Sequence, residues 1–208
     1  ASLPQRQLAN GLVDAFTHVM EQYMTYPTSA TLQDRISEAI LTTLIEIAPK
    51  IMNAPDDYDT AANFMWCCNM ALNGIIQKGV PNDWSIHGIG HELTAAYGID
   101  HARTLAIILP SMYRYKLNKK QDKLAQYGRR VLGLTGDNLS VASEAIDRTE
   151  AFFNSLGIGT KITDYDIDKP QEFPAKICDA LEAQRTIILG EHKDIKRDDV
   201  FNVLNMAI

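Results

Sequence analysis

WSIHGIGHELTAAYGIDHARTLAIILP, residues 84–110, is the stretch that decides the fold, because it reads as two consecutive helices separated by a glycine bend. Apolar residues recur every three to four positions on both sides of Gly98, and this period indicates helices rather than strands. Gly98 is the expected end of the first helix, since glycine readily adopts the left-handed conformation that terminates helices. Asp100 is the expected N-cap of the second helix, which contains Pro110.

The same helical period continues outward in both directions, and no segment shows a convincing strand-like alternation. The segment 60–79 is apolar on nearly every side, which predicts a central, buried helix. Residues 157–174 are irregular, and short helices are expected to follow them. The sequence therefore predicts one all-α, multi-helix domain over residues 1–208. Its other predicted helices are 12–24 with Asn10 as N-cap, 32–52 capped by Ser29 or Thr31, 122–134 and 139–156.

Composition limits the classes of function. The chain has 208 residues, of which 46% are hydrophobic, so it can bury a sizeable core. The formal net charge of −6 argues against a nucleic-acid partner, and the loose basic run between residues 114 and 123 is predicted to be a solvated helix face. No apolar stretch approaches membrane-spanning length, and the first residues do not resemble a signal peptide, so we expect a cytoplasmic protein.

Four of the five histidines lie in two groups with helical spacing. Asp14 and His18 are four residues apart, as are His87 and His91, so each pair shares one helix face. His101 follows beyond the glycine bend, where the chain can fold back towards the same place. A carboxylate on the apolar helix that carries Asp14 would be costly unless it were paired or metal-bound. The five residues are therefore candidate ligands of a divalent metal.

The residue types at this site restrict its chemistry. The pattern is not HExxH, because Gly88 follows His87 and Glu92 follows the second histidine, so a zincin protease is excluded. No cysteine has the spacing of a zinc finger. Imidazole and carboxylate ligands suit Fe(II) or Zn(II), which could polarise a carbonyl group. Gly88 and Gly90 either allow close helix packing or leave a bare helix face for a ligand.

NGLVDAFTHVMEQY (residues 10–23) and HGIGHELTAAYGIDHARTLAIILP (residues 87–110) resemble the metal-binding half of the iron-dependent (group III) alcohol dehydrogenases. The resemblance is greatest to the branch of NADP-dependent butanol dehydrogenases and broad-specificity aldehyde reductases, and it covers most of the chain. The double motif, Asp-x3-His followed by His-x3-His-x9-His, is much more specific than either half. The resemblance implies a helical domain of the dehydroquinate-synthase-like type. It also implies that residues 1–208 are the C-terminal fragment of a longer enzyme, without the N-terminal α/β nucleotide-binding domain.

Carried over residue by residue, the resemblance implies Asp14, His18, His87 and His101 as the metal ligands. It places His91 beside the nicotinamide and the substrate, as a candidate proton relay. The implied cofactors are Fe2+ or Zn2+, and NADP or NAD bound mostly by the missing domain. No glycine-rich nucleotide motif occurs in the chain, so no residue is assigned to nucleotide binding. The implied enzyme is a homodimer acting on small alcohols or aldehydes, and this fragment alone is expected to be inactive.

Two alternatives stay open at this point. A glycerol-dehydrogenase-like or dehydroquinate-synthase-like enzyme would share the helical domain, although the GIDH ending of the second motif and the histidine-rich ligand set favour the alcohol dehydrogenase branch. A non-catalytic helical module could instead bind a metal only for stability.

Overall fold

A computed structural model describes residues 3–208, and this part of the chain folds into nine α-helices joined by turns, with no strand. The antiparallel bridge between Leu189 and Ile195 is isolated. The predicted all-α fold is thus confirmed. The helices are α1 (Gln5–Tyr23), α2 (Thr31–Asn53), α3 (Tyr58–Leu72), α4 (Ser85–Tyr97), α5 (His101–Tyr115), α6 (Leu117–Arg130), α7 (Asn138–Ser155), α8 (Phe173–Ala183) and α9 (Arg197–Asn205).

Helix α5 is the centre of the molecule. It packs against α1, α4, α7 and α9, and every residue from 104 to 113 is buried. Its apolar run Leu105–Leu109 is completely enclosed, which explains why this segment carries so few polar residues. Pro110 lies inside the helix, as predicted.

Helix α3 is not the central helix that its composition predicts. It packs on α1 and α2 through a face that includes Phe64 and Cys67, whereas Met65 and Trp66 on the opposite face are 61% and 67% exposed. The apolar residues on nearly every side of this segment predict a central, buried helix, and that prediction is wrong. The sequence pattern alone does not say which faces of a helix have a neighbour.

The first predicted cap is also wrong, for a reason that matters to the site. Helix α1 begins at Gln5, so Asn10 lies inside the helix, where its amide donates a 2.8 Å hydrogen bond to Asp100. Arg6 donates to the same carboxylate at 2.7 Å. Asp100 does stand at the N-cap position of α5, but its side chain makes no capping bond within the described chain. It ties the start of α5 to α1 instead.

The glycines of α4 serve close packing. A Cβ atom on Gly90 would lie 2.9 Å from Leu105 of α5, and one on Gly88 would lie 3.0 Å from Leu189. The packing interpretation of these glycines is the one that the contacts support. Gly98 adopts a φ of +67° and ends α4, as predicted. In residues 3–208, none of the helices combines the length and the apolar character needed to cross a membrane.

Candidate metal centre

Three helices bring all five predicted site residues into one cluster. Helix α1 supplies Asp14 and His18, α4 supplies His87 and His91, and α5 begins with His101. The ring centroids of His18 and His87 are 4.2 Å apart, and those of His87 and His101 are 5.2 Å apart. The bend at the end of α4 therefore returns the chain to the first pair, as the sequence predicts.

Asp14, His87 and His101 form the inner part of this cluster. Each offers one ligand atom, and these atoms lie within 4.8 Å of one another. Over residues 3–208, the buried side-chain atoms without a hydrogen-bond partner include Asp14 Oδ1, His87 Nε2 and His101 Nδ1. A buried polar atom without a partner costs free energy, which a bound cation would relieve. The donor set of imidazole nitrogen and carboxylate oxygen, without thiolate, fits iron or zinc.

His18 lies beside the inner group but is not one of its three converging residues. Its Nδ1 lies 2.8 Å from the main-chain carbonyl oxygen of Asp14, to which it donates, and 3.4 Å from Asp14 Oδ2. Burial lowers the pKa of His18, but the contacts with Asp14 outweigh burial and raise it overall. Burial raises the pKa of Asp14, but the hydrogen bond with His18 and the charges of the nearby histidines outweigh burial, so the pKa of Asp14 is lowered overall. The two side chains stabilise each other's charged forms.

Glu21 is a buried residue of the site that the sequence reasoning missed. Its carboxylate accepts from the main-chain N–H groups of Ile86, at 2.6 Å, and His87, at 3.2 Å, and it also contacts Nδ1 of His87. Burial and the charge of Asp83 raise the pKa of Glu21 to about 8, whereas burial and His18 lower the pKa of His87 to about 4. Burial is the largest cause of both shifts, because the two side chains are enclosed in the protein. Glu21 lies seven residues after Asp14, and this helical spacing was the available signal.

His91 occupies the exposed side of the cluster. Its ring stacks on His101, with centroids 4.8 Å apart and planes inclined by 24°. Burial lowers the pKa of His91, and His87 acts in the same direction. A neutral imidazole in this position can both accept and donate a proton at pH 7.

Trp84 forms a wall of the cluster. It precedes α4 in a left-handed conformation, with a φ of +57°. Its ring centroid lies 6.0 Å from that of His18 and 5.4 Å from that of His87. The indole therefore covers two of the candidate ligands at once.

A buried ion cluster supports the start of α4. Lys120 Nζ donates to Asp83 at 3.0 Å, to Glu191 at 2.7 Å and to the carbonyl oxygen of Met24 at 2.6 Å. The prediction of a solvated basic face is thus wrong for Lys120, whose side chain is only 6% exposed. Asp83 in turn accepts from the main-chain N–H of Ser85, the first residue of α4.

Residues 8–208 match the model for the "Fe-containing alcohol dehydrogenase family, C-terminal". The chain is 48% identical to the NADPH-dependent aldehyde reductase YqhD of Escherichia coli, over 95% of this chain and 51% of that protein. It is 37% identical to the NADH-dependent butanol dehydrogenase A of Clostridium acetobutylicum, over 99% of this chain and 53% of that protein. The chain thus spans about half the length of the relatives that it matches.

Solved structures agree with this assignment. The substrate- and cofactor-free form of the E. coli aldehyde reductase YqhD superposes with a TM-score of 0.96 at 46% identity, covering 100% of this chain and 54% of the other. The NADH-dependent butanol dehydrogenase A of Thermotoga maritima gives a TM-score of 0.93 at 27% identity, covering 99% and 53%. By sequence and by fold alike, this chain belongs to the Fe-containing alcohol dehydrogenase family and corresponds to its C-terminal, helical part.

Proposed function

We propose that residues 1–208 form the metal-binding, catalytic domain of an NAD(P)-dependent aldehyde reductase or alcohol dehydrogenase. The observation that carries the proposal is the convergence of ligand atoms from Asp14, His87 and His101 where α1, α4 and α5 meet. Each of these residues also has a buried side-chain atom for which residues 3–208 provide no hydrogen-bond partner. The similarity to relatives named as an aldehyde reductase and a butanol dehydrogenase supports the same reaction class. Because the chain spans about half of those relatives, the proposal for activity concerns the whole enzyme.

In this proposal, Asp14, His18, His87 and His101 hold Fe2+ or Zn2+. The converging atoms support three of these ligands, and His18 is included because its ring packs on His87 at the edge of the same cluster. When bound, the metal supplies a Lewis acid for a carbonyl oxygen, and NADP or NAD supplies the hydride carrier. The substrates are small aldehydes and alcohols, and the whole enzyme is a homodimer.

His91 is the proposed proton relay. It lies on the exposed side of the cluster, so a substrate can reach it, and its lowered pKa favours the neutral ring at pH 7. One ring nitrogen of His91 gives its proton to the substrate oxygen as an aldehyde becomes an alcohol, while the other ring nitrogen takes a proton from water, and both transfers reverse when an alcohol is oxidised. Trp84 lies against His18 and His87 and shields these two rings from water.

Metal content tests the ligand assignment. The unsubstituted chain, loaded anaerobically with Fe2+ or with Zn2+, is expected to retain stoichiometric metal in elemental analysis. Asp14→Ala and His87→Ala should each abolish retention. The control is His192→Ala, because His192 stacks on Tyr26 outside the cluster. Unchanged metal in the Asp14→Ala or His87→Ala chain would contradict the assignment.

A measurement of turnover tests whether the active site is shared between this chain and a second domain. The metal-loaded 208-residue chain is expected to reduce aldehydes with NADPH at a negligible rate, because the nucleotide would be held mostly by a second domain. An enzyme-like rate from this chain alone would show that the site is complete within it.

A further inference from the structure

Glu21 joins α1 to α4 at the point where the two halves of the histidine cluster meet. Its side chain is only 1% exposed. Oε1 accepts from the main-chain N–H of Ile86, and Oε2 accepts from the main-chain N–H of His87 and contacts its Nδ1. The main-chain carbonyl of Glu21 also accepts from the N–H of Asp83 at 3.1 Å. One residue of α1 thus makes four contacts with the segment that starts α4.

Helix α4 depends on these contacts because it has no cap of its own. Trp84 stands at the N-cap position, and in the described chain its side chain makes no capping bond. The first N–H groups of a helix have no partner within the helix and must find acceptors elsewhere. Here Asp83 accepts from Ser85, and Glu21 accepts from Ile86 and His87. The carboxylate of Glu21 therefore fixes where α4 begins relative to α1, and so where His87 stands relative to Asp14.

The contact at Nδ1 also sets the direction of the His87 ring. An imidazole has two nitrogens on opposite sides, so holding Nδ1 directs Nε2 the other way. Nε2 of His87 is one of the buried atoms for which the described chain provides no hydrogen-bond partner, and His87 is one of the three residues whose ligand atoms converge. Carboxylates commonly hold metal-binding histidines in this manner, and removing such a partner lowers metal affinity by about 10–100-fold.

We propose that Glu21 is a positioning residue of the metal centre. It accepts the Nδ1 proton of His87 so that Nε2 points at Asp14 and His101, and its two main-chain hydrogen bonds fix α4 on α1. This inference rests on the proposed metal site and adds to it a residue that does not belong to the predicted ligand set.

The test is the affinity of the full chain for Co2+, used as a probe with a visible absorption spectrum. Glu21→Gln keeps the shape of the side chain but replaces one acceptor oxygen with an amide that donates. We expect this variant to bind Co2+ about 10–100-fold more weakly, with an altered absorption spectrum and unchanged helicity. The matched control is Glu38→Gln, since Glu38 is also buried but bonds to Tyr23 and Arg130, away from the cluster. It should bind Co2+ as the unsubstituted chain does.

Three results would overturn the inference. Wild-type affinity and spectrum in Glu21→Gln would overturn the role of Glu21 and leave the metal site in place. An equal loss of Co2+ affinity in Glu38→Gln would show that the loss in Glu21→Gln is not specific to the position of Glu21 beside His87. An unsubstituted chain that binds no Co2+ would overturn the inference together with the proposed function.

A measurement on the unsubstituted chain keeps the inference testable if Glu21→Gln does not fold. In the Zn2+-loaded, 15N-labelled chain, NMR should show that Nδ1 of His87 carries a proton that exchanges slowly with water, because Glu21 holds it in a buried bond. An unprotonated Nδ1, or Zn2+ bound to Nδ1, would overturn the inference.

Discussion

Lys120 shows how much one buried charge can contribute at the scale of a residue. Its ammonium group is enclosed by Asp83, Glu191 and the carbonyl oxygen of Met24. Lys120→Met would leave two carboxylates without their cation. Removing one partner of a buried ion pair costs about 3–5 kcal/mol. We expect a decrease of that order in the free energy of unfolding, measured by urea denaturation.

The neighbouring Lys119 provides the control. Its side chain is 68% exposed, and among residues 3–208 its ammonium group bonds only to Asp194. Exposed ion pairs contribute little, so Lys119→Met should change the free energy of unfolding hardly at all. Equal losses in the two variants would show that Lys120 is not enclosed as described.

Asp194 gives the stability of the protein a pH dependence at the acidic end. Burial raises its pKa, but the hydrogen bonds from Lys119 and Lys116 outweigh burial and bring the pKa from 3.8 to about 2. A carboxylate with a lowered pKa stabilises the fold above its unfolded value, and this stability is lost as the pH falls through the folded value.

The free energy of unfolding should therefore fall less steeply in Asp194→Asn than in the unsubstituted chain as the pH is lowered from 3.8 towards 2. Chemical denaturation of both chains at several pH values measures the difference. Parallel pH profiles would contradict the role of Asp194.

At the scale of elements, α6 and α7 pack closely at Gly128. A Cβ atom there would lie 2.7 Å from Val141 Cγ1 and 3.2 Å from the Val141 carbonyl oxygen. Overpacking of this kind costs about 1–3 kcal/mol. Alanine favours a helix over glycine by about 1 kcal/mol, which opposes the loss. Because the carbonyl oxygen cannot rotate away, we expect Gly128→Ala to destabilise the protein, as measured by thermal and urea unfolding.

A double-mutant cycle isolates this contact. Val141→Ala removes the methyl group nearest to the added Cβ, so the double variant should lose less stability than the sum of the two single variants. Strictly additive losses would mean that Gly128 and Val141 are not in contact.

The sequence predicts some helices better than others, for physical reasons. Helices α4 and α7 match their predicted bounds closely, because glycine or aspartate marks their ends. The start of α1 was missed, because Asn10 has the residue type of a cap yet serves a contact with Asp100. Whether a polar side chain caps its own helix or bonds to a distant one depends on tertiary neighbours, which local sequence does not record.

The candidate site, like the helices, can be predicted from the sequence only in part. Spacing alone predicted that Asp14, His18, His87, His91 and His101 would gather, and they do. Their individual roles remain predictions. Spacing places Glu21 on the helix face of Asp14 but does not show its importance, which comes from contacts with α4, more than sixty residues further along the chain.

Considered as a whole, the molecule has a core that does not depend on the metal cluster. Phe16 packs on Phe153 and Tyr127, with ring centroids 5.6 Å and 6.5 Å apart, and these rings join α1 to α6 and α7. We therefore expect a chelator to leave the helicity, measured by circular dichroism, unchanged. The melting temperature should fall only by the amount that the lost binding contributes through mass action.

Unfolding upon chelation at room temperature would instead favour a module in which the metal serves stability. Zinc fingers are the extreme case, since they are unfolded without their metal. The control is the Asp14→Ala chain, which should be insensitive to the chelator.

Trp84 gives this protein an optical property. Of its two tryptophans, Trp66 lies mostly in solvent on α3, whereas Trp84 lies against the rings of His18 and His87. The fluorescence of Trp66 therefore comes from a ring surrounded by water, whereas the fluorescence of Trp84 depends on the histidine cluster beside it. An open-shell ion held by those histidines would quench the fluorescence of Trp84 and spare that of Trp66. The protein thus carries its own fluorophore for following the arrival of a metal, without any added label.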